Sequence, residues 1–200
     1  MMKKSLTSAA LAITMALTSA GPSAAASCLR GINISGAEFG SAGGVLNKDY
    51  TWPSTETLDY FAAKGFNSVR LPFRWERLQP VLMGPLDEAE LSRLMETVEL
   101  IRARKMRIIL APHNFARYNE RVVGSTDVPK EAFADFWAKL AAEVGSHKAI
   151  YGYGLMNEPH GLGSDAVWPA AAQAAVDAIR AVDKTNTIIV GGDDWSSAKM

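Results

Sequence analysis

The sequence predicts an α/β protein with parallel strands, and three observations carry that prediction. Short β-rich runs at 30–34, 68–71, 106–111, 150–156 and 187–190 alternate with amphipathic helical stretches. Several of these runs are apolar throughout, as strands buried on both faces are. They recur about every 35 to 45 residues, the size of one elaborated strand-helix unit. Four strand-helix units and a fifth strand fit either a doubly wound sheet or a (β/α)8 barrel.

Ahead of the first strand, Met1-Met2-Lys3-Lys4 is followed by an uncharged apolar or small run over 6–17, a break at Gly21-Pro22, and Ala24-Ala25-Ala26 before Ser27. That order is a secretory signal peptide over residues 1–26, and a secreted or periplasmic product is expected, with 27–200 forming one unit. The apolar run is well short of the roughly 20 residues a spanning helix needs, so no stable membrane association is expected. Cys28 is the single cysteine, which rules out a disulfide or a cysteine zinc site within this sequence. As an acylation site it lacks the usual aliphatic residue three positions earlier, where Ala25 stands. A lone thiol after export hints at a partner cysteine outside this sequence.

The first helix has Ser54 and Thr55 as caps, Leu58, Phe61 and Ala62 on one face, and Gly65 at its stop. In the second, Asp87 and Glu90 make a capping-box-like pair before Leu91, Leu94, Met95, Val98 and Ile101. Arg102, Arg104 and Lys105 then meet the negative end of the helix dipole. The third starts at Pro129, turns Phe133, Phe136, Trp137, Leu140 and Val144 inward, and ends at Gly145. The fourth, from about Asp165 to Val182, carries Trp168, Ala172, Ala175, Ile179 and Val182 on a stripe.

A 48% hydrophobic and 21% charged composition supplies a sizeable core and excludes disordered, collagen-like and coiled-coil readings. Lys plus Arg, 21, cancels Asp plus Glu, 21, leaving no basic footprint for nucleic acid. His113, His147 and His160 lack metal-ligand spacing, and neither a metal nor a cofactor is expected.

The loops bear on the architecture. Gly31-Ile32-Asn33-Ile34-Ser35-Gly36 does not supply the dinucleotide fingerprint G-x-G-x-x-G, and Gly43-Gly44 comes too late and leads into no helix. In a barrel, chemistry sits at the C-terminal strand ends. Those ends read Asn33, Arg70, His113-Asn114, Asn157-Glu158-Pro159-His160 and Asp193-Asp194-Trp195. Glu158 emerges where an apolar strand finishes, and partial desolvation of its carboxyl would favour the protonated form a general acid needs. A solvated loop glutamate is the plainer alternative. Trp52, Trp75 and Trp168 read as packing residues, Asp193 and Asp194 as a solvated loop pair, and His147 as surface.

The segments Gly31-Ile32-Asn33-Ile34-Ser35-Gly36, Asn67 through Trp75, Gln79-Pro80, His113 through Tyr118 and Met156-Asn157-Glu158-Pro159-His160 stand in the order and spacing of glycoside hydrolase family 5. Over nearly all of 27–200 the sequence resembles the cellulase-type endo-β-1,4-glucanases of that family. The resemblance implies a (β/α)8 TIM barrel and retaining hydrolysis of a β-linked polysaccharide, by a monomer when complete. It puts Glu158 in the acid/base position and Asn157 beside it as the contact to the neighbouring hydroxyl. It puts Arg70 beneath the catalytic carboxylates, His113 and Asn114 along the cleavage subsite, and Trp195 on the aromatic position where a sugar ring stacks.

A retaining reaction uses two carboxyl groups about 5 to 5.5 Å apart. The nucleophilic Glu that the family carries after its seventh strand has no counterpart here. The expectation is therefore the N-terminal portion of the barrel, truncated after about the fifth strand and inactive alone. Two alternatives stay open: a short product that binds β-glucan without cleaving it, and the same scaffold acting on mannan.

Overall fold

The computed structural model describes residues 28–197, so the expected signal peptide lies outside the described residues. In chain order the elements are β1 (Gly31–Asn33), α1 (Thr55–Ala63), β2 (Ser68–Phe73), α2 (Trp75–Leu78), α3 (Glu88–Ala103) and β3 (Arg107–Pro112). There follow β4 (Arg117–Tyr118), β5 (Arg121–Val122), α4 (Lys130–Val144), β6 (Ile150–Gly154), α5 (Val167–Val182) and β7 (Thr187–Ile189). Five strands pair in parallel in the order β1, β2, β3, β6, β7.

That order decides between the two architectures. A doubly wound sheet reverses direction at a switch point. Here each new strand adds beside the last, so right-handed crossovers put every connecting helix on the same face. The chain thus builds four consecutive βα units and a fifth strand of a (β/α) barrel.

Strand alternation sorts the side chains. Val69, Leu71, Phe73, Ile108, Leu110 and Tyr153 are buried on the helix side, each worth about 1.5–3 kcal/mol of removed apolar surface. Arg70, Ile109, Ala111, Gly154 and Ile189 take the alternate positions and line a cavity on the opposite, concave face. Gly152 permits the β6–β7 pairing, since a Cβ there would lie 2.4 Å from the Thr187 carbonyl oxygen.

The helices form where their caps and stripes put them. Ser54 accepts a hydrogen bond from the Thr57 amide at the start of α1, and Asp87 accepts one from Glu90 at the start of α3. Glu90 does not close the capping box. Its carboxylate is drawn instead to the Tyr50 hydroxyl and the Arg93 guanidinium, and burial and this bond push Tyr50 up to about 12. Phe133, Phe136, Trp137, Leu140 and Val144 of α4 are fully buried; Trp75 packs against Phe133 and Phe136, and Trp168 against Phe133, as expected.

Three features differ from the sequence reading. Val182 is half exposed, because α5 ends there and hands over to Asp183. His147 is not simply surface: its Nε2 lies 2.6 Å from Glu99 on α3, which helps hold that carboxyl below its usual range. The antiparallel β4–β5 pair was unforeseen. Its two-residue strands close through Asn119 and Glu120, both at positive φ.

Candidate active site

Asn33 at the end of β1, and His113 and Asn157 just past β3 and β6, gather around Arg70. Arg70 lies inside β2, three residues before its end rather than at the strand end the sequence suggested. One arm of its guanidinium donates to Asn33 Oδ1, and the other donates to Asn157 Oδ1 at 2.8 Å. Burial lowers the Arg70 pKa from its ordinary value, against the opposing pull of the Glu38 and Glu158 carboxylates. His113 follows β3, where its amide extends the ladder by donating to Phe73 at 2.9 Å. Its Nε2 lies 3.1 Å from Asn157 Nδ2, and burial lowers its pKa first of all.

Glu158 follows Asn157 in the turn after β6. The Asn157 amide donates to the Pro112 carbonyl at 2.9 Å, which ties this turn to the end of β3. Glu158 itself sits at φ +43°, a left-handed conformation that costs a residue with a Cβ about 1–2 kcal/mol. Contacts around it hold the turn: His160 Nδ1 lies 2.8 Å from the Glu158 carbonyl oxygen, and the Trp195 amide donates to Pro159 at 3.1 Å. The carboxyl is exposed, so the desolvation expected from the sequence is not supplied by the described residues.

Four rings run along this rim. His113 meets Phe115 edge-on at 5.1 Å, Phe115 meets His160 at 5.5 Å, and His160 stacks on Trp195 at 4.5 Å and 10°. Trp195 remains 56% exposed, so an apolar face stays available to a ligand. Together Arg70, Asn157, Glu158 and Trp195 edge a cavity of about 430 Å³ whose floor is Ile109, Ala111 and Gly154. Glu158 is the one carboxylate among the described residues lining it.

Asn114, expected along the same subsite, is placed elsewhere. It is buried, accepts the Trp75 amide at 3.0 Å and donates to the Glu76 carboxylate, so its amide is spent on holding the start of α2. Glu76 in turn accepts the Asn119 amide at 2.7 Å. Sequence reasoning also passed over Glu38, a buried carboxylate that accepts the Gly36 amide at 2.7 Å and acts electrostatically on both Arg70 and His113. Its position just past Asn33 on the first rim loop was the available signal. Asp193 and Asp194 are half-buried and do not line the cavity. No group of three or more His, Cys, Asp or Glu able to hold a metal is found among the described residues, nor any helix long and apolar enough to cross a membrane.

A parallel barrel segment that gathers a carboxylate, an arginine fork and an exposed tryptophan on one rim has the layout of a (β/α) barrel whose functional site lies at the C-terminal side of its strands. The chain matches the family described as Cellulase (glycosyl hydrolase family 5) over residues 29–200, and it belongs to that family. It is 40% identical to Endoglucanase 3 of Humicola insolens over 172 residues, 84% of this chain and 43% of that protein. Its fold superposes on the crystal structure of Pseudomonas stutzeri endoglucanase Cel5A with a TM-score of 0.82 and 41% identity, covering 85% of this chain and 53% of the other. XacCel5A, solved in complex with cellopentaose, is 46% identical with a TM-score of 0.80, over 84% and 53% of the two chains. The chain spans about half the length of the relatives it matches.

Proposed function

We propose that residues 27–200 are the N-terminal part of a secreted, retaining glycoside hydrolase that cleaves β-1,4-glucan, with Glu158 as general acid/base. One observation carries this reading: Arg70, Asn157 and His113, from three different strands, converge beside Glu158 in a cleft edged by Trp195. Endoglucanase relatives support the glucan, and the cellopentaose bound by XacCel5A supports a run of glucose units as the occupant. Asn157 then meets the hydroxyl next to the reacting carbon, and Trp195 stacks on a sugar ring. The second carboxylate that retention requires, about 5 to 5.5 Å from the first, belongs on barrel strands beyond those described. Residues 1–26 act as the signal peptide, so an exported product begins at Ser27.

A second reading, β-glucan binding without hydrolysis, is favoured by the single carboxylate in the described cleft. The two separate when the chain is extended with the remaining strands of a family barrel and tested on carboxymethyl cellulose and on mannan. Hydrolysis of the cellulose derivative supports the first reading, and preferential hydrolysis of mannan replaces its substrate. An inert, folded product that still binds cellopentaose supports the second. In the active form, Glu158→Gln is expected to abolish cleavage of poor leaving groups while largely sparing activated aryl glycosides. Equal losses on both overturn the acid/base assignment.

A further inference from the structure

We infer that Arg70 sets where His113 carries its proton: by taking the Asn157 carbonyl oxygen it turns the Asn157 amide nitrogen toward His113 Nε2, which keeps the imidazole neutral and protonated on Nδ1. The argument is one of donors and acceptors. A guanidinium only donates, so the atom 2.8 Å from its Nη2 has to be the Asn157 oxygen. Reversing the amide would set its NH2 against the guanidinium. Nor can the other arm compensate, because Asn33 is itself fixed: its Nδ2 donates to Ser35 Oγ at 2.9 Å and its oxygen faces Arg70.

Asn157 Nδ2 therefore points a hydrogen at His113 Nε2, 3.1 Å away, and that nitrogen must accept. An N–H on Nε2, in either the other tautomer or the imidazolium, would oppose donor to donor. On the far side of the ring, Nδ1 is buried with no hydrogen-bond partner, so the choice is made at Nε2. The charges facing the ring come from three segments: Glu38 after β1, Arg70 and Arg74 on and after β2, and Glu158 after β6. Burial, Arg70 and Arg74 oppose protonation, whereas Glu38 and Glu158 favour it. Phe115 adds an uncharged ring edge.

The consequence rests on the proposed cleft chemistry, although the proton's position does not. His113 has no hydrogen on Nε2 to give, so the proton for a departing sugar oxygen falls to Glu158. Asn157, with its oxygen and one hydrogen engaged, has one N–H left and so meets an acceptor on the ligand.

The test needs no substrate. Long-range 1H–15N NMR of the histidine-labelled chain distinguishes the tautomers directly, with His147 and His160 as internal references for folding. His113 is expected as the Nδ1–H tautomer at neutral pH; an Nε2–H pattern or an imidazolium overturns the inference. In Asn157→Asp an oxygen faces Nε2, and His113 is expected to bind its proton roughly tenfold more tightly, moving its titration up by about one pH unit. A folded variant in which that midpoint stays put refutes the lock. Loss of the fold in the variant leaves the wild-type spectrum to decide.

Discussion

Replacing Asn114 with alanine separates two roles for one side chain. As a wall of the cleavage subsite, its loss would weaken ligand binding and leave the fold alone. The structure instead gives it two buried hydrogen bonds, one from the Trp75 amide and one to the Glu76 carboxylate. Truncation leaves the Trp75 N–H without its acceptor, about 1–2 kcal/mol, and removes one of two donors from a buried carboxylate, about 1.5–3 kcal/mol. The sum is about 2.5–5 kcal/mol, or roughly 5–20 °C of melting temperature in a domain of this size. Circular dichroism melts of the 200-residue chain and Asn114→Ala measure it, with cellopentaose titrations below both transitions. A drop under about 1 kcal/mol accompanied by lost cellopentaose binding would refute the argument and restore Asn114 to the subsite.

Trp195→Ala is expected to weaken cellopentaose binding roughly tenfold in a calorimetric titration, at little cost in stability, because the ring is largely exposed. Unchanged affinity would remove Trp195 as the platform. Asp183 is buried, and although burial alone would raise its pKa, bonds from Tyr153, Thr185 and Asn186 hold it well below the usual carboxylate range. A depressed folded pKa contributes stability that is full above the unfolded value near 4 and is lost as pH falls below it. Asp183→Ala should thus cost about 3 kcal/mol in urea melts at pH 7 and progressively less below about pH 4. A difference that stays constant with pH would contradict the charged role.

The strand-helix alternation was legible because the five strands of the parallel sheet are short and largely apolar and α1, α3, α4 and α5 each keep a three-four stripe, so local chemistry and fold agree there. The sheet order was not, since a doubly wound sheet gives the same alternation; only the pairing of β6 beside β3 and β7 beside β6 decides it. Asn114 was misplaced for a simpler reason. It neighbours His113, and consecutive residues along extended chain point to opposite sides, so only one of the two can face the cleft. Glu38 escaped notice because its burial depends on a loop held by residues far along the chain: Arg74 donates to the Glu38 carbonyl at 3.3 Å and Arg77 to the Ala37 carbonyl at 2.7 Å. His147 and Glu99 likewise meet across 48 positions of sequence.

The position of Arg70 ties the site to the sheet itself. In β2 it alternates with Val69, Leu71 and Phe73, which are buried toward the helices, and it pairs in register with Ile109 of β3 on the cavity side. A one-residue slip of β2 would send the guanidinium into the helix layer and bring the apolar side chains into the cleft, exchanging a satisfied fork for an unpaired buried charge. The register that builds the core is therefore also the one that delivers Arg70 to Asn33 and Asn157. Through Asn157 it fixes the orientation of His113 beside Glu158. The geometry of the candidate site and the packing are selected by the same alternation, so substitutions that loosen β2 against β3 should disturb both together.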